Sequence, residues 1–573
     1  MKRILWNKIV VMPLTLAIVA FSFSMTAAAA PSYDAGKALQ EAKPPQPPIK
    51  KEQEQPLIPE VKEEEPFNLP EGETIYVSEF KLEGMLAEDA TKLQELLTPY
   101  TQRKLSLTEI YTAADKVTSY YRSKGYMVAK TYVPKQDATS GIMTFKVLLG
   151  HYGKINISNS SACRDSRIQG IFEQAMPAGQ SIVRQDLERA MLLTSELAGV
   201  SMPKVSISAG EQPGTTDFYI ESKTTKRLEG YLLADNYGSR YTGQQRLNGA
   251  LSINEISGLG DQLTISGQTT KAKGLQNGLL NYRVPLSSSG LRIDLGAGLT
   301  TYELGNIYRD LDATGTAKTI QATATYPLRK TSTETVEISA SFVHKRMRDE
   351  MLDETISRKR SYSGILGLSR QKYGSLFGLK TASTLGGSLT YGHLKFPDSD
   401  EQDINEAGAD TVGNFHKINL SFDGQMLLTK KLTLLTSIDF QKSFANKNLD
   451  GSEQLSLSGS TGVRCYRPGV LGDSGYIFNT ELKYVLPKLF RVNNSIGLFT
   501  DIGRIYIEDN DYTTDPGGLR LSDLGLGYYV NYEYAKGRYL VSTIQAVWAY
   551  GPHEDTGSKE SRSRVLAQVG ITF

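Results

Sequence analysis

The sequence predicts a mostly β fold: a transmembrane antiparallel β-barrel of about sixteen strands, preceded by two small α+β domains. Three observations lead to this prediction. Helical periodicity disappears after Lys226, and short strand-like runs alternate with turn residues as far as Phe573. The connections between these runs alternate in length, as they do in membrane barrels. Before them, one order of strands and helices occurs twice in succession, which is an internal repeat.

Residues 1–29 are predicted to be a secretory signal peptide. A positively charged start is followed by the apolar run Ile9–Phe23 and by small residues at Ala27–Ala30. We expect cleavage after Ala29, because cleavage one residue later would leave a proline at the new N-terminus. An uncleaved anchor helix is the weaker alternative, since the apolar run is short for a membrane span. The chain is therefore expected to leave the cytoplasm.

Residues 30–43 are predicted to hold a plug-like helix, with the helix-competent stretch Tyr33–Ala42 at its centre. Residues 44–70 are rich in Pro, Glu and Lys and too poor in apolar residues to form a core, so we interpret them as a linker. Such a linker can carry the helix to the mouth of a barrel. We expect the helix to act as a removable plug.

The two small domains are predicted at residues 71–149 and 150–224. Each follows the order strand, helix, helix, strand, strand. In the first, Ser106 and Glu109 have the spacing of a capping box, and Gly125 is placed to end the helix that follows. This order resembles POTRA domains, which are periplasmic modules that handle polypeptides. Their exposed sheet edges can accept an extended chain, so we expect Glu71–Ser222 to bind an unfolded partner.

Residues 225–573 are predicted to form the barrel. Short connections, expected on the periplasmic side, occur at Ser287–Gly290, Thr429–Lys431 and Ala535–Gly537. Long connections, expected on the outer side, occur at Arg346–Arg358, Phe396–Gly413, Ser443–Gly475 and Gly551–Ser563. The last run alternates apolar and polar residues except at Leu566, and the chain stops at Phe573. That ending is similar to the insertion signal of bacterial outer-membrane proteins.

One long connection, Thr461–Gly475, is the candidate functional loop. It carries two arginines, Arg464 and Arg467, between runs that read as strands, and a tight turn signal at Gly472–Gly475 closes it. The simpler interpretation is a long surface loop with incidental charge, because loops are commonly polar and variable. Its setting in a barrel favours the functional interpretation.

The complete arrangement resembles the TpsB transporters of two-partner secretion, of the hemolysin/hemagglutinin secretion-activation type, within the POTRA-barrel superfamily. Three stretches carry the resemblance: VRCY at Val463–Tyr466 followed by Gly472–Tyr476, the pattern Phe499-x-Asp501-x-Gly503, and Ala234–Gly243 continued at Ser257–Leu263. The first departs from the family motif, because Cys465 stands where glycine is usual. A positive φ is easy for glycine and costly for cysteine, so the backbone conformation at Cys465 stays open at this point.

The resemblance implies that the long loop folds back into the barrel and that its arginine pairs with the acid of a nearby strand. The implied loop motif comprises Val463, Arg464, Cys465, Tyr466, Gly472 and Asp473. The implied anchoring motif comprises Phe499, Asp501 and Gly503. Alternation agrees with this, because Ile496, Leu498 and Ile502 suit the lipid face and leave the anchoring motif in the lumen. The alternative is that Asp501 simply faces water in a polar lumen.

The resemblance also implies the function: an outer-membrane transporter, with its N-terminal domains in the periplasm, that exports an unfolded partner exoprotein to the cell surface. The partner is expected to be TpsA-like and β-helical. The other expected partners are outer-membrane lipid and the barrel assembly machinery that inserts the chain, and a monomer is expected. The alternative is an assembly or insertion factor of the same superfamily. A diffusion porin is a third class, but it would need neither the repeat nor the loop motif.

No catalytic, metal or cofactor constellation is evident in the sequence. The net charge of +2 argues against a nucleic-acid binder, and the five histidines are scattered without ligand spacing. We therefore expect no enzyme activity and no cofactor. The two cysteines, Cys163 and Cys465, are too few for a disulfide framework, and whether they pair is left open by the sequence.

Overall fold

The structure, a computed structural model, describes residues 33–43, 56, 58–59, 74–444, 446–488, 492–512, 517–550 and 562–573. The predicted signal peptide and all but three residues of the predicted linker lie outside the described residues. A short helix, α1 (Ala35–Glu41), comes first and is followed by two α+β units and a barrel. In the part of the chain that is described, no helix is both long and apolar enough to cross a membrane.

The first α+β unit combines two helices with two small sheets. Its elements are β1 (Thr74–Val77), β2 (Glu79–Glu83), α2 (Ala90–Leu97), β3 (Arg103–Ser106), α3 (Leu107–Ser123), β4 (Ala129–Tyr132) and β5 (Ile142–Leu149). One sheet is three-stranded, in the order β2-β5-β4, and the other is two-stranded, β1-β3. The predicted capping box is present, because Ser106 Oγ accepts from the Glu109 N–H at 3.2 Å and Glu109 Oε2 accepts from the Ser106 N–H at 2.9 Å. Gly125, just past α3, has φ +99°, which suits a residue that ends a helix.

The second unit repeats the predicted order of elements. It consists of β6 (His151–Asn159), α4 (Asp165–Ala175), α5 (Arg184–Ser195), β7 (Lys204–Ala209) and β8 (Thr215–Ser222). Strand β8 is central, parallel to β6 and antiparallel to β7. Apolar side chains of both helices, such as Phe172 and Leu187, are fully buried against this sheet.

Sixteen strands close into an antiparallel barrel, which confirms the predicted fold. They are β9 (Leu228–Asp235), β10 (Arg246–Asn254), β11 (Gln262–Thr270), β12 (Leu275–Pro285), β13 (Arg292–Glu303), β14 (Thr314–Lys330), β15 (Glu334–Met351), β16 (Glu354–Leu376), β17 (Leu379–Lys395), β18 (Gly413–Leu427), β19 (Leu432–Ser443), β22 (Ser474–Val485), β23 (Asn493–Tyr506), β24 (Gly518–Ala535), β25 (Arg538–Ala549) and β26 (Ser563–Thr572). Two short strands, β20 (Leu455–Ser456) and β21 (Leu471–Gly472), lie in the connection between β19 and β22 and are not part of the barrel wall. Helix α6 (Ser399–Glu406) lies between β17 and β18.

The C-terminal residue takes part in closing the barrel. Strand β26 pairs with β9, and the Phe573 N–H donates to Gly230 O at 3.0 Å while the Gly230 N–H donates to Phe573 O at 3.1 Å. A side chain at position 230 would collide with the Phe573 ring, since its Cβ would lie 2.7 Å from Cζ. Phe573 therefore sits at the seam between the first and last strands.

The second α+β unit docks on the short turns at one end of the barrel. The Arg164 N–H donates to Gly258 O at 3.0 Å, and the Ala198 N–H donates to Gly260 O at 3.1 Å. The Arg189 guanidinium donates to Ser289 O at 2.9 Å in the next turn. This end of the barrel therefore faces the α+β units, and the longer connections lie at the other end.

The prediction of a long loop at Arg346–Arg358 is wrong. Strands β15 and β16 run through this segment and meet in a turn at Leu352 and Asp353, both with positive φ. The physical reason is alternation: Lys345 and Met347 face inward, while Arg346 and Arg348 face outward and keep their charges in water. A highly charged run can thus be strand where the strand rises beyond the membrane.

Candidate functional site in the barrel lumen

The connection between β19 and β22 folds back into the barrel. Within it, β20 pairs with β21, and the Val463 N–H donates to Leu457 O at 2.8 Å. Asp473 holds the base of this loop, because its carboxylate accepts from the Leu449 N–H at 2.9 Å and the Glu508 N–H at 3.0 Å. Neighbouring Gly472 has no room for a side chain, since a Cβ there would lie 2.6 Å from Ile505 Cβ.

Arg464 and Asp501 meet in a bidentate ion pair. Arg464 Nε donates to Asp501 Oδ2 at 2.7 Å, and Nη2 donates to Oδ1 at 2.9 Å. Asp501 is fully buried, and it also accepts from Asn479 Nδ2 at 2.8 Å. A buried carboxylate is costly unless it is paired and hydrogen-bonded, and this geometry supplies both. The arrangement fixes the position of the loop relative to β22 and β23.

The two residues that flank Asp501 on the same face of β23 make room for the loop. The Arg464 guanidinium lies over the Phe499 ring, 3.5 Å from its centroid, which adds a cation–π contact. Gly503 leaves a gap that Leu457 of the loop fills, because a Cβ at 503 would lie 2.4 Å from Leu457 Cδ1. The three residues of the strand motif therefore contribute differently: Phe499 supplies a flat ring, Asp501 a negative charge, and Gly503 a space for the loop.

The rest of the loop motif packs into an apolar cluster inside the barrel. Val463, Cys465 and Tyr466 are buried there together with Leu566 of the last strand. Leu566 is the one apolar residue on the inward face of its strand, and the loop is what it packs against. Cys465 is absent from the described non-glycine residues with positive φ, so cysteine fits this backbone without the strain that a glycine would relieve.

Three neighbours of the ion pair were missed by the sequence analysis. Asn479 and Asp523 face Asp501 from the two adjacent strands, β22 and β24. Asp523 Oδ2 accepts from the Cys465 N–H at 2.6 Å, and Glu481 lies 3.6 Å from Arg464 Nη1. Alternation along β22 and β24 would have placed these side chains in the lumen, but only the register between strands brings them to Arg464.

Helix α1 lies inside the barrel, where it packs against β13, β14 and β15. Its Asp34 cap accepts from the Lys37 N–H at 2.9 Å, and the Tyr33 ring meets Tyr302 edge-on at 5.2 Å. At its other end, Glu41 accepts from Tyr33 Oη at 2.7 Å and from the Ser239 N–H at 3.0 Å. Burial raises the pKa of the Glu41 carboxyl above its usual value of 4.5, although these hydrogen bonds act in the opposite direction.

The helix and the long loop share one lysine of the barrel wall. Lys359 Nζ lies 2.7 Å from Asp34 of the helix segment and 2.7 Å from Asp450 of the loop. The helix also touches the loop directly, since Gln40 Nε2 donates to Ser452 O at 3.0 Å. The two bodies that occupy the lumen are therefore coupled through side chains rather than through continuous backbone.

The cysteines do not pair, and the described residues hold no metal cluster. Cys163 and Cys465 form no disulfide bond and are buried in separate cores, one in the second α+β unit and one in the barrel. In the described segments, no group of three or more His, Cys, Asp or Glu side chains could hold a metal ion.

Fold and lumen together define an outer-membrane barrel with POTRA domains. Residues 214–528 match the family described as haemolysin secretion/activation protein ShlB/FhaC/HecB, and residues 75–150 match the ShlB-type POTRA domain. The first match spans more than half of the chain, and the protein belongs to the ShlB/FhaC/HecB haemolysin secretion/activation family.

Curated relatives and solved structures agree with this assignment. The heme/hemopexin transporter protein HuxB of Haemophilus influenzae is 26% identical over 78% of this chain and 80% of its own length. The outer membrane transporter CdiB of Escherichia coli is 24% identical over 73% of this chain and 70% of its own. The structure of CdiB from Escherichia coli shares the fold with a TM-score of 0.72, at 21% identity, covering 94% of this chain and 95% of that one. CdiB from Acinetobacter baumannii shares it with a TM-score of 0.63, at 14% identity, covering 91% and 94%.

The protein is therefore an outer-membrane transporter of the two-partner secretion type, with its POTRA domains in the periplasm, and it works with a secreted partner exoprotein. This confirms the function and the location predicted from the sequence. The family is a transporter family, in line with a non-enzymatic role.

Proposed function

We propose that the protein exports one unfolded, β-helical partner of the TpsA type through the lumen now filled by α1 and the long loop. This proposal is carried by one observation, which is how α1 and the long loop are held in the lumen. Helix and loop are held by side-chain contacts such as Lys359 to Asp34 and Arg464 to Asp501, which can be exchanged without breaking the barrel wall. A lumen filled in this way can open while all sixteen strands stay paired.

The site residues have distinct roles in this proposal. Arg464 and Asp501, supported by Phe499 and Gly503, hold the loop in its working position, and α1 leaves the lumen before the partner enters. The region Glu71–Ser222 receives the unfolded partner from the periplasm. An extended chain can add to the exposed edge β7 of the second sheet, since β7 pairs on one side only among the described strands.

Two other expected partners concern the insertion of the barrel and its place in the membrane. We propose that Phe573, at the end of the last strand, is read by the barrel assembly machinery during insertion, and that the finished monomer is surrounded by outer-membrane lipid. Support comes from the closed barrel, whose outer face carries exposed apolar side chains such as Leu366 and Leu498.

Deletion of the gene, followed by comparison of the secreted proteins, tests the proposal against the insertion-factor alternative. Export predicts that one large β-rich protein disappears from the medium and from the cell surface while the outer-membrane barrels keep their levels. An insertion factor predicts the reverse, a broad loss of outer-membrane barrels with no single missing exoprotein. Plasmid-borne wild-type protein should restore the missing protein.

A further inference from the structure

Four basic residues form a row across the outer surface of the barrel. Lys318 on β14 lies directly opposite Arg346 on β15. Arg346 in turn lies opposite Arg360 on β16, which lies opposite Lys395 on β17. All four side chains are exposed. We call these residues the basic row; with neighbouring strands about 4.8 Å apart, it covers about 14 Å of the surface.

The basic row faces away from the lumen. Ala317, Met347 and Leu394, which are sequence neighbours of three of its members, are buried in the internal cluster around α1. Lys359, the neighbour of the fourth, binds Asp34 inside the barrel. Successive side chains of a strand point to opposite faces, so the row lies on the outer face.

The row also lies at the outer edge of the apolar band. On the same strands, the outward positions nearer the periplasm are exposed and apolar; they include Ile338, Phe342, Leu366, Leu368, Leu389 and Tyr391. Between this band and the row, His344 stacks on Tyr362 with ring centroids 4.3 Å apart. Such aromatic side chains mark the interface of a membrane barrel.

The distance along the strand agrees with this placement. Val336 lies opposite Arg370, an outward basic residue near the periplasmic end, and is ten positions (346 − 336) before Arg346 on β15. At about 3.4 Å per residue and a tilt of about 40°, the two basic levels are about 26 Å apart along the membrane normal, close to the usual apolar height of ~25 Å. The basic row is therefore at the level of the outer-leaflet headgroups.

The four basic side chains of the row lie directly opposite one another, and like charges in such positions destabilise a sheet. Even so, no acidic side chain of the described residues forms an ion pair with the basic row. The next pair outward is different. Arg348 pairs with Glu350, and Arg358 lies 3.7 Å from Glu401 of α6. Within the basic row, Arg346 Nε donates to His344 Nε2 at 3.1 Å, a contact that does not neutralise the charge of the arginine. The chain compensates its outer arginines with its own acids and leaves the charge of the basic row to an external anion.

We propose that the basic row binds the phosphate groups of a phosphorylated glycolipid in the outer leaflet. Guanidinium groups match phosphate oxygens in a bidentate way, and lysines add charge on either side. The acyl chains of such a lipid would lie on the apolar band directly below, which a free phosphate ion could not use. The same hairpin holds α1 from the inside, because Asp349 accepts from the Ala35 N–H at 2.7 Å and Lys359 binds Asp34. Lipid bound outside therefore steadies the hairpin that seats the plug.

The test compares two double variants on the same strands. Arg360→Gln/Lys395→Gln removes two members of the row, and Lys372→Gln/Lys380→Gln removes two exposed charges at the periplasmic ends of β16 and β17 as the matched control. Each full-length protein is placed in phosphatidylethanolamine nanodiscs with or without lipid A, and bound lipid A is counted by native mass spectrometry. A third arm supplies inorganic phosphate without lipid A. Heat-modifiable gel migration checks that every barrel is closed.

The row variant should bind lipid A roughly 30-fold more weakly than wild type, from about 1 kcal/mol for each basic residue near a membrane surface. The control should bind like wild type, and inorganic phosphate should neither bind measurably nor displace lipid A. Equal binding by the row variant and wild type would overturn the proposal. So would an equal loss in the control, or saturation of the row by inorganic phosphate alone.

Discussion

At the scale of single residues, Asp501 is the carboxylate of the barrel wall that Arg464 of the loop binds. Its carboxylate is fully buried, and its hydrogen bonds come from Arg464 and from Asn479. Removing one partner from a buried ion pair leaves the other charge stranded, which typically costs about 3–5 kcal/mol. The barrel wall does not depend on this pair, because its strands are joined by backbone hydrogen bonds.

We therefore expect Arg464→Ala and Asp501→Ala each to insert normally and to export little partner. Their combined effect should be far less than additive, because the two residues act as one coupled unit. Export is measured as partner protein in the medium, and folding as heat-modifiable migration. Arg504→Ala, an exposed arginine on the same strand, is the control and should export normally. Normal export by both single variants, or strictly additive loss, would show that the pair has no role in secretion.

The family resemblance implied that Arg464 meets Asp501, and alternation placed Asp501 in the lumen, but neither predicted what surrounds the pair. Asn479 and Asp523 reach it through strand register, which depends on which residues face each other across three strands. Single-strand periodicity contains no such information. Cys465 shows the same limit in another form, since its ordinary φ follows from the path of the loop and not from the family motif.

At the scale of elements, α1 is a seven-residue helix, which is too short to be stable by itself. Its contacts inside the barrel stabilise it. Its seat combines charge at Asp34, apolar packing at Tyr33 and Ala38, and close backbone approach at Gly36. A Cβ at position 36 would lie 2.6 Å from the Ser452 N atom of the loop. The sequence predicted the helix from its composition, but its docking surface is assembled from strands hundreds of residues away.

Deleting residues 33–42 should raise the single-channel conductance in planar bilayers severalfold while leaving export largely intact. The reason is that α1 fills part of the lumen but contributes no strand to the wall. An equal-length deletion within the linker 44–70 is the control; it keeps the helix and should keep the conductance low. If the conductance of the plug deletion equals that of wild type, α1 is not the element that blocks the pore.

The hairpin formed by β15 and β16 explains why one prediction at this scale failed. A run of charged residues between Arg346 and Arg358 is typical of a solvated loop, and charge alone cannot distinguish a loop from a strand that stands in water. The ladder between the two strands continues to Met351 and Glu354 because the inward positions pair with the plug and the long loop. Tertiary contacts therefore determine that this segment is strand and not loop.

At the scale of the whole molecule, the parts are arranged along one axis. The POTRA domains meet the short turns, the barrel forms the wall, and the long loop enters the lumen from the opposite end. This order was accessible from the sequence because each part has its own period: helical in the POTRA repeat and alternating in the barrel. Transport through the lumen is the central claim that the arrangement supports.

Photo-crosslinking of a stalled partner tests this claim most directly. A partner fused to a stable C-terminal domain is exported until that domain arrests it, and a photoreactive residue is placed at Asn419, inside the barrel, or at Leu420, its exposed neighbour on the lipid face of β18. The account predicts that the stalled partner crosslinks to position 419 and not to position 420. Crosslinks at 420 without crosslinks at 419 would contradict it, because the partner would then pass along the outside of the barrel.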